Sequence, residues 1–315
     1  MNTGTSYLDR AVTVRCPVCN NLADSLEAVP GWGEWRCCRH CTLEFANPLR
    51  LGLDPKALFD DAYRGRVQTS AMTDFHKRVE QRRVILDKLN DPNLWFWTPA
   101  FYDVLDWLKA RLPPGSTVLE LGCGLGFFLH ALRREGFNAA GLDVAEMVVE
   151  LNRQDGFPVW HGPVESLPAG WVSPQAVVSF FMLHHLENPL GFLRAIRQRA
   201  PDAPLAIAVY GPSNKGTAAS LPPRTLIRWN GRALATALQL AGYEPRVSEV
   251  QSTGAESDFL EPIRNTLART MRVPGLYRLG KQVEAHVLSR VPARARRDAY
   301  VVLALAEPVD IRVPA

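Results

Sequence analysis

Short runs that are apolar at nearly every position punctuate this 315-residue chain, and between them lie stretches whose apolar residues recur every three or four positions. The first kind, over 117–121, 176–180 and 205–210, predicts strands buried on both faces. Shorter runs over 138–142, 157–160, 244–250 and 299–306 predict further strands. The second kind predicts helices. Val79, Ile85, Leu86 and Leu89 mark one over 74–90, with Asp74 as its cap and Asn90-Asp-Pro92 as its stop. Phe101, Val104, Leu105 and Leu108 mark the next, and Pro113-Pro-Gly-Ser116 then turns the chain into the strand at 117. Asn230 is placed to cap a later helix ending at Gly242. Strands alternating with helices predict a doubly wound α/β sheet.

The strand at 117 carries the chemistry. It reads Thr-Val-Leu-Glu-Leu-Gly-Cys-Gly-Leu-Gly-Phe127, so Glu120 precedes three alternate glycines, Gly122, Gly124 and Gly126, before a helical pattern begins. Glycine lets a backbone approach a ligand closely, and a helix N-terminus favours polar or anionic groups, so this turn is a cradle for a nucleoside cofactor. A dinucleotide fingerprint would need glycine at position 127, where Phe127 stands.

The G-x-G-x-G pattern with its preceding acid resembles the first motif of class I S-adenosylmethionine-dependent methyltransferases. Three further segments are similar to that family in order. Asp143 ends the second strand, where an acid can hold both ribose hydroxyls. His161-Gly-Pro-Val-Glu-Ser-Leu-Pro168 looks like the adenine-edge segment, with Pro163 where relatives carry Asp, which shifts that work to Val164 and Glu165. The run 176–189 is similar to the fourth-strand segment and ends in Leu183-His-His185, although Ala176 replaces a usual Asp. The resemblance implies a seven-stranded Rossmann-like sheet and a cofactor site of Tyr63, Glu120, Gly122, Cys123, Gly124, Gly126, Asp143, Val144, Val164, Glu165 and Phe180. His184 and His185, at the carboxyl end of the fourth strand, are the candidate catalytic bases, and helix capping suits either position as well.

Five of the six cysteines fall in the first 41 residues, as Cys16-Pro-Val-Cys19 and Cys37-Cys38-Arg-His-Cys41. Two C-x-x-C knuckles match a tetrahedral thiolate site for Zn²⁺, with Cys16, Cys19, Cys38 and Cys41 as ligands. Cys37 substitutes for Cys38 if the turn shifts, and His40 is a further donor. Four protein ligands leave no open position, so such a zinc is structural. Residues 41–48 and 58–63 resemble segments that join an N-terminal zinc ribbon to the catalytic domain in bacterial methyltransferases of polysaccharide and natural-product pathways. That resemblance implies an aromatic over the cofactor, with Tyr63 the candidate and interface packing its alternative role.

The resulting organisation is a zinc ribbon and joining segment over 1–63, a helical connector over 64–115, and the methyltransferase domain over 116–315 with a helical insertion at about 255–297. In that insertion nine basic residues face four acids, and its tail holds Arg290, Arg294, Arg296 and Arg297, which reads as a solvated face or as an anion-binding lid. The aromatic cluster Trp95-Phe-Trp97 suits either packing or a substrate pocket, and the loop at 211–223 lies where a sheet's carboxyl edge would be. After Pro222-Pro223, Arg224 and Thr225 stand where the family commonly has His.

The net charge of +4 is too small to argue for nucleic acid or membrane as partner, and residues 16–50 carry three basic residues against four acids. The apolar runs are too short for a bilayer and 1–10 has no signal region, so a cytoplasmic enzyme is expected. The leading expectation is methyl transfer from S-adenosylmethionine to a small molecule, a sugar or natural-product intermediate that is anionic or carrier-linked. The alternatives are a ribosomal or transfer RNA methyltransferase and a non-catalytic cofactor-binding protein.

Overall fold

A computed structural model describes residues 14–50, 54–66, 73–89, 99–211, 221–251 and 300–309. The cluster at 95–97, most of the 211–223 loop, the 255–297 insertion and its four arginines lie outside the described residues.

The larger sheet has seven strands: β4 (Thr117–Leu121), β5 (Asn138–Asp143), β6 (Val159–His161), β7 (Ala176–Phe180), β8 (Leu205–Tyr210), β10 (Tyr243–Gln251) and β11 (Tyr300–Pro308). Their order is β10-β11-β8-β7-β4-β5-β6, parallel from β8 to β6, with β11 antiparallel to both of its neighbours. All seven expected strands are present, within two residues of their predicted bounds. The reason is their surroundings. Helices cover both faces, so every residue of β7 is buried and the strands read as nearly continuous apolar runs. Each fully buried Leu, Val or Phe there contributes about 1.5–3 kcal/mol of transfer free energy.

Strand order reverses between β4 and β7, so the connections from these two strands leave in opposite directions and open a crevice at their carboxyl ends. The helices that frame it are α1 (Pro55–Tyr63), α2 (Thr73–Leu89), α3 (Pro99–Arg111), α4 (Phe127–Arg134), α5 (Glu146–Gln154), α6 (Pro189–Arg199) and α7 (Gly231–Leu240). The helix expected at 74–90 starts one residue earlier, so Asp74 lies inside it. Asn230 caps α7 as expected, its side chain accepting from the Ala233 N–H at 2.9 Å.

The N-terminal strands β1 (Ala23–Val29), β2 (Gly33–Cys38) and β3 (Glu44–Asn47) form an antiparallel sheet. Its fourth strand comes from far along the chain. β9 (Ile227–Arg228) pairs Ile227 with Phe45 and Arg228 with Glu44, so part of the C-terminal region completes the N-terminal sheet.

Candidate functional site: a cofactor crevice beside a cysteine knuckle pair

At the carboxyl edge of the seven-stranded sheet lies a cavity of about 520 Å³, within the usual range for small-molecule sites. The glycine loop forms its floor. Gly126, at φ 77°, precedes α4, and a Cβ there would fall 1.8 Å from Asn152 Oδ1, so the left-handed turn and the buried asparagine exclude any other residue. Asn152 in turn donates to the Gly124 and Val148 carbonyls, each at 2.8 Å. Above the loop sits Tyr63, whose hydroxyl lies 3.1 Å from where a Gly124 side chain would begin. Burial, then the neighbouring Asp143 carboxylate, pushes the Tyr63 phenol up from its ordinary value, so it remains a neutral hydroxyl.

Asp143 ends β5 and joins that strand to the loop. Its carboxylate accepts from the Gly124 N–H at 2.8 Å and from the Ala145 N–H at 2.9 Å. Burial raises its pKa, and these backbone bonds oppose the rise. Glu120, one strand over, is buried and also lines the cavity, with one carboxylate oxygen lacking any partner. Burial and then the Asp143 charge push Glu120 well above the usual carboxylate range. A crevice with a glycine floor, an orphaned acid oxygen and a second acid at the end of β5 fits the ribose and amino-acid parts of S-adenosylmethionine.

Of the expected cofactor residues, Tyr63, Glu120, Gly122, Cys123, Gly124, Asp143, Val144 and Phe180 line this cavity. Gly126 shapes the turn beneath it. Val164 and Glu165 are not on the wall: Val164 packs into the core and Glu165 is exposed, its carbonyl accepting from Arg199 at 2.7 Å.

His184 and His185 close the opposite wall on the turn after β7, with ring centroids 3.9 Å apart. The His185 Nδ1–H donates to the Arg224 carbonyl, which makes Nε2 that ring's basic nitrogen. Phe59 of α1 meets the same ring edge-on at 5.1 Å. His184 is buried, and its Nδ1 has no hydrogen-bond partner. Burial, followed by the charges of His185 and Arg224, holds its pKa well below the ordinary imidazole value, so it is neutral near pH 7.

The sequence did not single out several wall residues. Phe181 is one; its φ of 55° is uncommon for a bulky residue, and its ring stacks on Tyr210 at 4.3 Å. Nothing local in the sequence marks that conformation. Arg224, noted for replacing a histidine, also lines the cavity. Arg78 of α2 does too, brought there because Arg82 one turn on donates to the Leu125 carbonyl of the glycine loop at 2.9 Å.

The cysteine cluster forms a separate centre. The sulfurs of Cys16, Cys19, Cys38 and Cys41 all lie within 4.8 Å of one another, with close pairs at 3.4–3.6 Å. Tetrahedral zinc at about 2.3 Å from each sulfur sets the sulfurs about 3.8 Å apart, so the set fits that ion. Two backbone donors are already aimed at the sulfurs, the Val18 N–H at Cys16 and the His40 N–H at Cys38, both at 3.4 Å. Hydrogen bonding from Cys41 lowers the Cys16 thiol to about 5, while Cys41 is pushed up by that same bond and Cys38 by burial. The four sulfurs are thus placed to hold a cation once all are deprotonated. Cys37 alternates to the other side of β2 and is outside the cluster, and His40 is exposed and contributes only its backbone N–H.

Residues 96–247 match a family model described as "Methyltransferase domain". The chain is 28% identical over 130 residues to the ribosomal protein L11 methyltransferase of Cupriavidus taiwanensis, covering 39% of this chain and 41% of that protein. It is 30% identical over 99 residues to the ubiquinone biosynthesis O-methyltransferase of Xylella fastidiosa, covering 29% and 40%. The chain thus spans about two fifths of the length of these curated relatives. Among solved structures, the Haemonchus contortus phosphoethanolamine N-methyltransferase 2 in complex with S-adenosyl-L-methionine aligns at TM-score 0.52 and 15% identity, covering 80% of this chain and 60% of that one. That likeness is one of fold. The strand order is that of a Rossmann-like methyltransferase sheet, and the family match makes residues 96–247 similar to a methyltransferase domain.

Proposed function

We propose that this protein transfers a methyl group from S-adenosylmethionine to a small-molecule acceptor, a sugar or biosynthetic intermediate, and that its cysteine knuckles hold one structural zinc. One observation supports the acceptor class above others: the histidine pair faces the cofactor loop across a single lined cavity, with His184 only 3% exposed. A nucleophile would have to enter that depth to reach a cofactor held by the glycine loop, which suits a small molecule.

Bound S-adenosylmethionine supplies an electrophilic methyl on a sulfonium. The chain's own residues do the rest. Asp143 and the glycine loop fix one reactant, the aromatic wall excludes water, and the histidine turn orients the other, so the barrier falls chiefly through alignment. For a hydroxyl acceptor, His185 Nε2 takes the proton, its Nδ1–H being anchored to the Arg224 carbonyl. His184, held neutral, packs beside it and keeps a second positive charge out of the wall.

A protein acceptor is the second reading, favoured by the sequence likeness to proteins named ribosomal protein L11 methyltransferase and EEF1A lysine methyltransferase 2. The experiment presents purified protein and methyl-labelled S-adenosylmethionine with a metabolite panel, ribosomal proteins and total RNA in parallel. Label transfer to a small molecule, reduced at least a hundredfold in His185→Gln, is expected. Label in protein or RNA with no small-molecule product would overturn the acceptor class.

A further inference from the structure

The segment 221–230 runs from the cavity to the cysteine ribbon, and its bonds connect the two. Arg224 lines the cavity, and its carbonyl receives the His185 Nδ1–H. Leu226, fully buried, is bonded on both sides: its N–H donates to the His184 carbonyl at 2.8 Å, and its carbonyl accepts from the Ala46 N–H of β3 at 2.8 Å. Two residues on, the Arg228 guanidinium lies 3.9 Å above the Trp35 ring of β2, pairs with Glu27 at 2.5 Å and reaches Glu44 at 3.5 Å. Its side chain is only 6% exposed. Asn230 then donates to the Thr42 carbonyl at 2.8 Å, next to Cys41, while capping α7.

A buried arginine is costly to desolvate unless its partners are well placed, and Arg228 has two carboxylates and an aromatic face. Removing it would leave Glu44 and Trp35 facing a vacated site and would loosen β9 from the ribbon. The cofactor half of the crevice rests on other supports. Asp143 and the glycine loop are tied to β5, to Asn152 of α5 and to Arg82 of α2.

We propose that the ribbon is the scaffold of the acceptor half of the crevice, and that Arg228 is a positioning residue that fixes the His184–His185 turn through β9. This rests on the reading of that turn as the acceptor wall. The two halves of the active site then have separate supports, and a lesion in the ribbon reaches the histidines without reaching the cofactor cradle. The contiguous bonded route motivates the proposal, and coupling along it is what the measurement must demonstrate.

The test uses the full chain and S-adenosylhomocysteine as probe, so no acceptor is needed. Imidazole nitrogen NMR reads the tautomer of His185, while calorimetry reads the dissociation constant for S-adenosylhomocysteine. In the parent protein His185 is expected as a single tautomer protonated at Nδ1. Arg228→Met should give mixed tautomers and faster carbethoxylation of His185 by diethylpyrocarbonate, with cofactor affinity changed less than twofold. Arg228→Lys should restore the single tautomer. Asn230→Ala, which releases the Thr42 clamp, is the second variant and should act in the same direction if Arg228→Met does not accumulate folded. An unchanged His185 signal in both variants, or a loss of cofactor affinity of tenfold or more in step with the tautomer change, would overturn the proposal. Failure of His185 as a base would show instead as an unaltered methylation rate in His185→Gln, leaving the tautomer result standing.

Discussion

Asp143 links the second strand of the sheet to the glycine loop through two backbone N–H groups, and it stands where a ribose would lie. Charge-assisted bonds of this kind are worth about 1.5–3 kcal/mol each, so Asp143→Ala should weaken S-adenosylhomocysteine binding roughly tenfold to a hundredfold. Calorimetry giving an unchanged dissociation constant would remove Asp143 from the cofactor site. His184 offers a different measurement. Its folded pKa lies well below the ordinary imidazole value because the ring is buried, so below about pH 6.5 the unfolded chain takes up a proton that the folded one refuses. The unfolded state therefore binds more protons in that window, and stability falls as pH drops through it. His184→Phe, which also fills the space, should lose less stability than the parent between pH 7.5 and pH 5.5 in urea titrations. Equal losses in both proteins would mean that His184 accepts its proton in the folded state.

The glycine turn between β4 and α4 shows how tightly the site's elements are fitted. A methyl group at Gly126 meets Asn152 Oδ1 at 1.8 Å and must also hold φ at 77°, so Gly126→Ala combines backbone strain of about 1–3 kcal/mol with displacement of a buried asparagine. Thermal denaturation should show a midpoint lowered by roughly 5–10 °C, with cofactor affinity falling as well. An unaltered midpoint would mean that Asn152 can swing aside at no cost. This turn was legible in the sequence because spacing alone specifies it. The strands around it were legible too, since burial on both faces leaves them largely apolar, with Glu120 and Ser179 as buried exceptions. The ribbon strands were not. β1 reads Ala-Asp-Ser-Leu-Glu-Ala-Val and is exposed at its five central positions, so no apolar period announces it. β9 is two residues long, and its existence depends on a partner some 180 positions away in the chain, which no local pattern can signal. The same holds at the site: the cysteine and glycine spacings stood out, whereas Phe181 and Arg78 reach the cavity only through tertiary packing. Val164 and Glu165, carried over from the family's adenine-edge segment, do not reach the wall, because Pro163 begins a turn that buries Val164 in the core.

At the scale of the molecule, β9 carries the chain from the larger sheet into the smaller one and back, and that governs how a metal should affect stability. Zinc binding requires deprotonated sulfurs, and for small ribbons the binding free energy is a large part of the folding free energy. β1, β2 and β3 hold few buried side chains of their own, Trp35 and Phe45 being the largest. The seven-stranded sheet, by contrast, has apolar layers on both faces and needs no metal. Chelation should therefore unfold the ribbon and leave the larger sheet folded, with one exception set by the topology. β9 loses its partner strand when β3 melts, although Leu226 keeps its bond to the His184 carbonyl. Hydrogen exchange after treatment with a strong chelator should show amides of β1, β2 and β3 fully exchanged, the β3-facing bonds of β9 opened, and β4, β5, β7 and β8 still protected. The untreated protein should carry one zinc per chain by elemental analysis, and Cys16→Ser with Cys19→Ser should abolish it. Protein purified without chelator that contains no zinc, or a doubly substituted protein that retains full metal, would refute the site. Loss of protection in β4 together with the ribbon would show instead that the two sheets unfold as one cooperative unit.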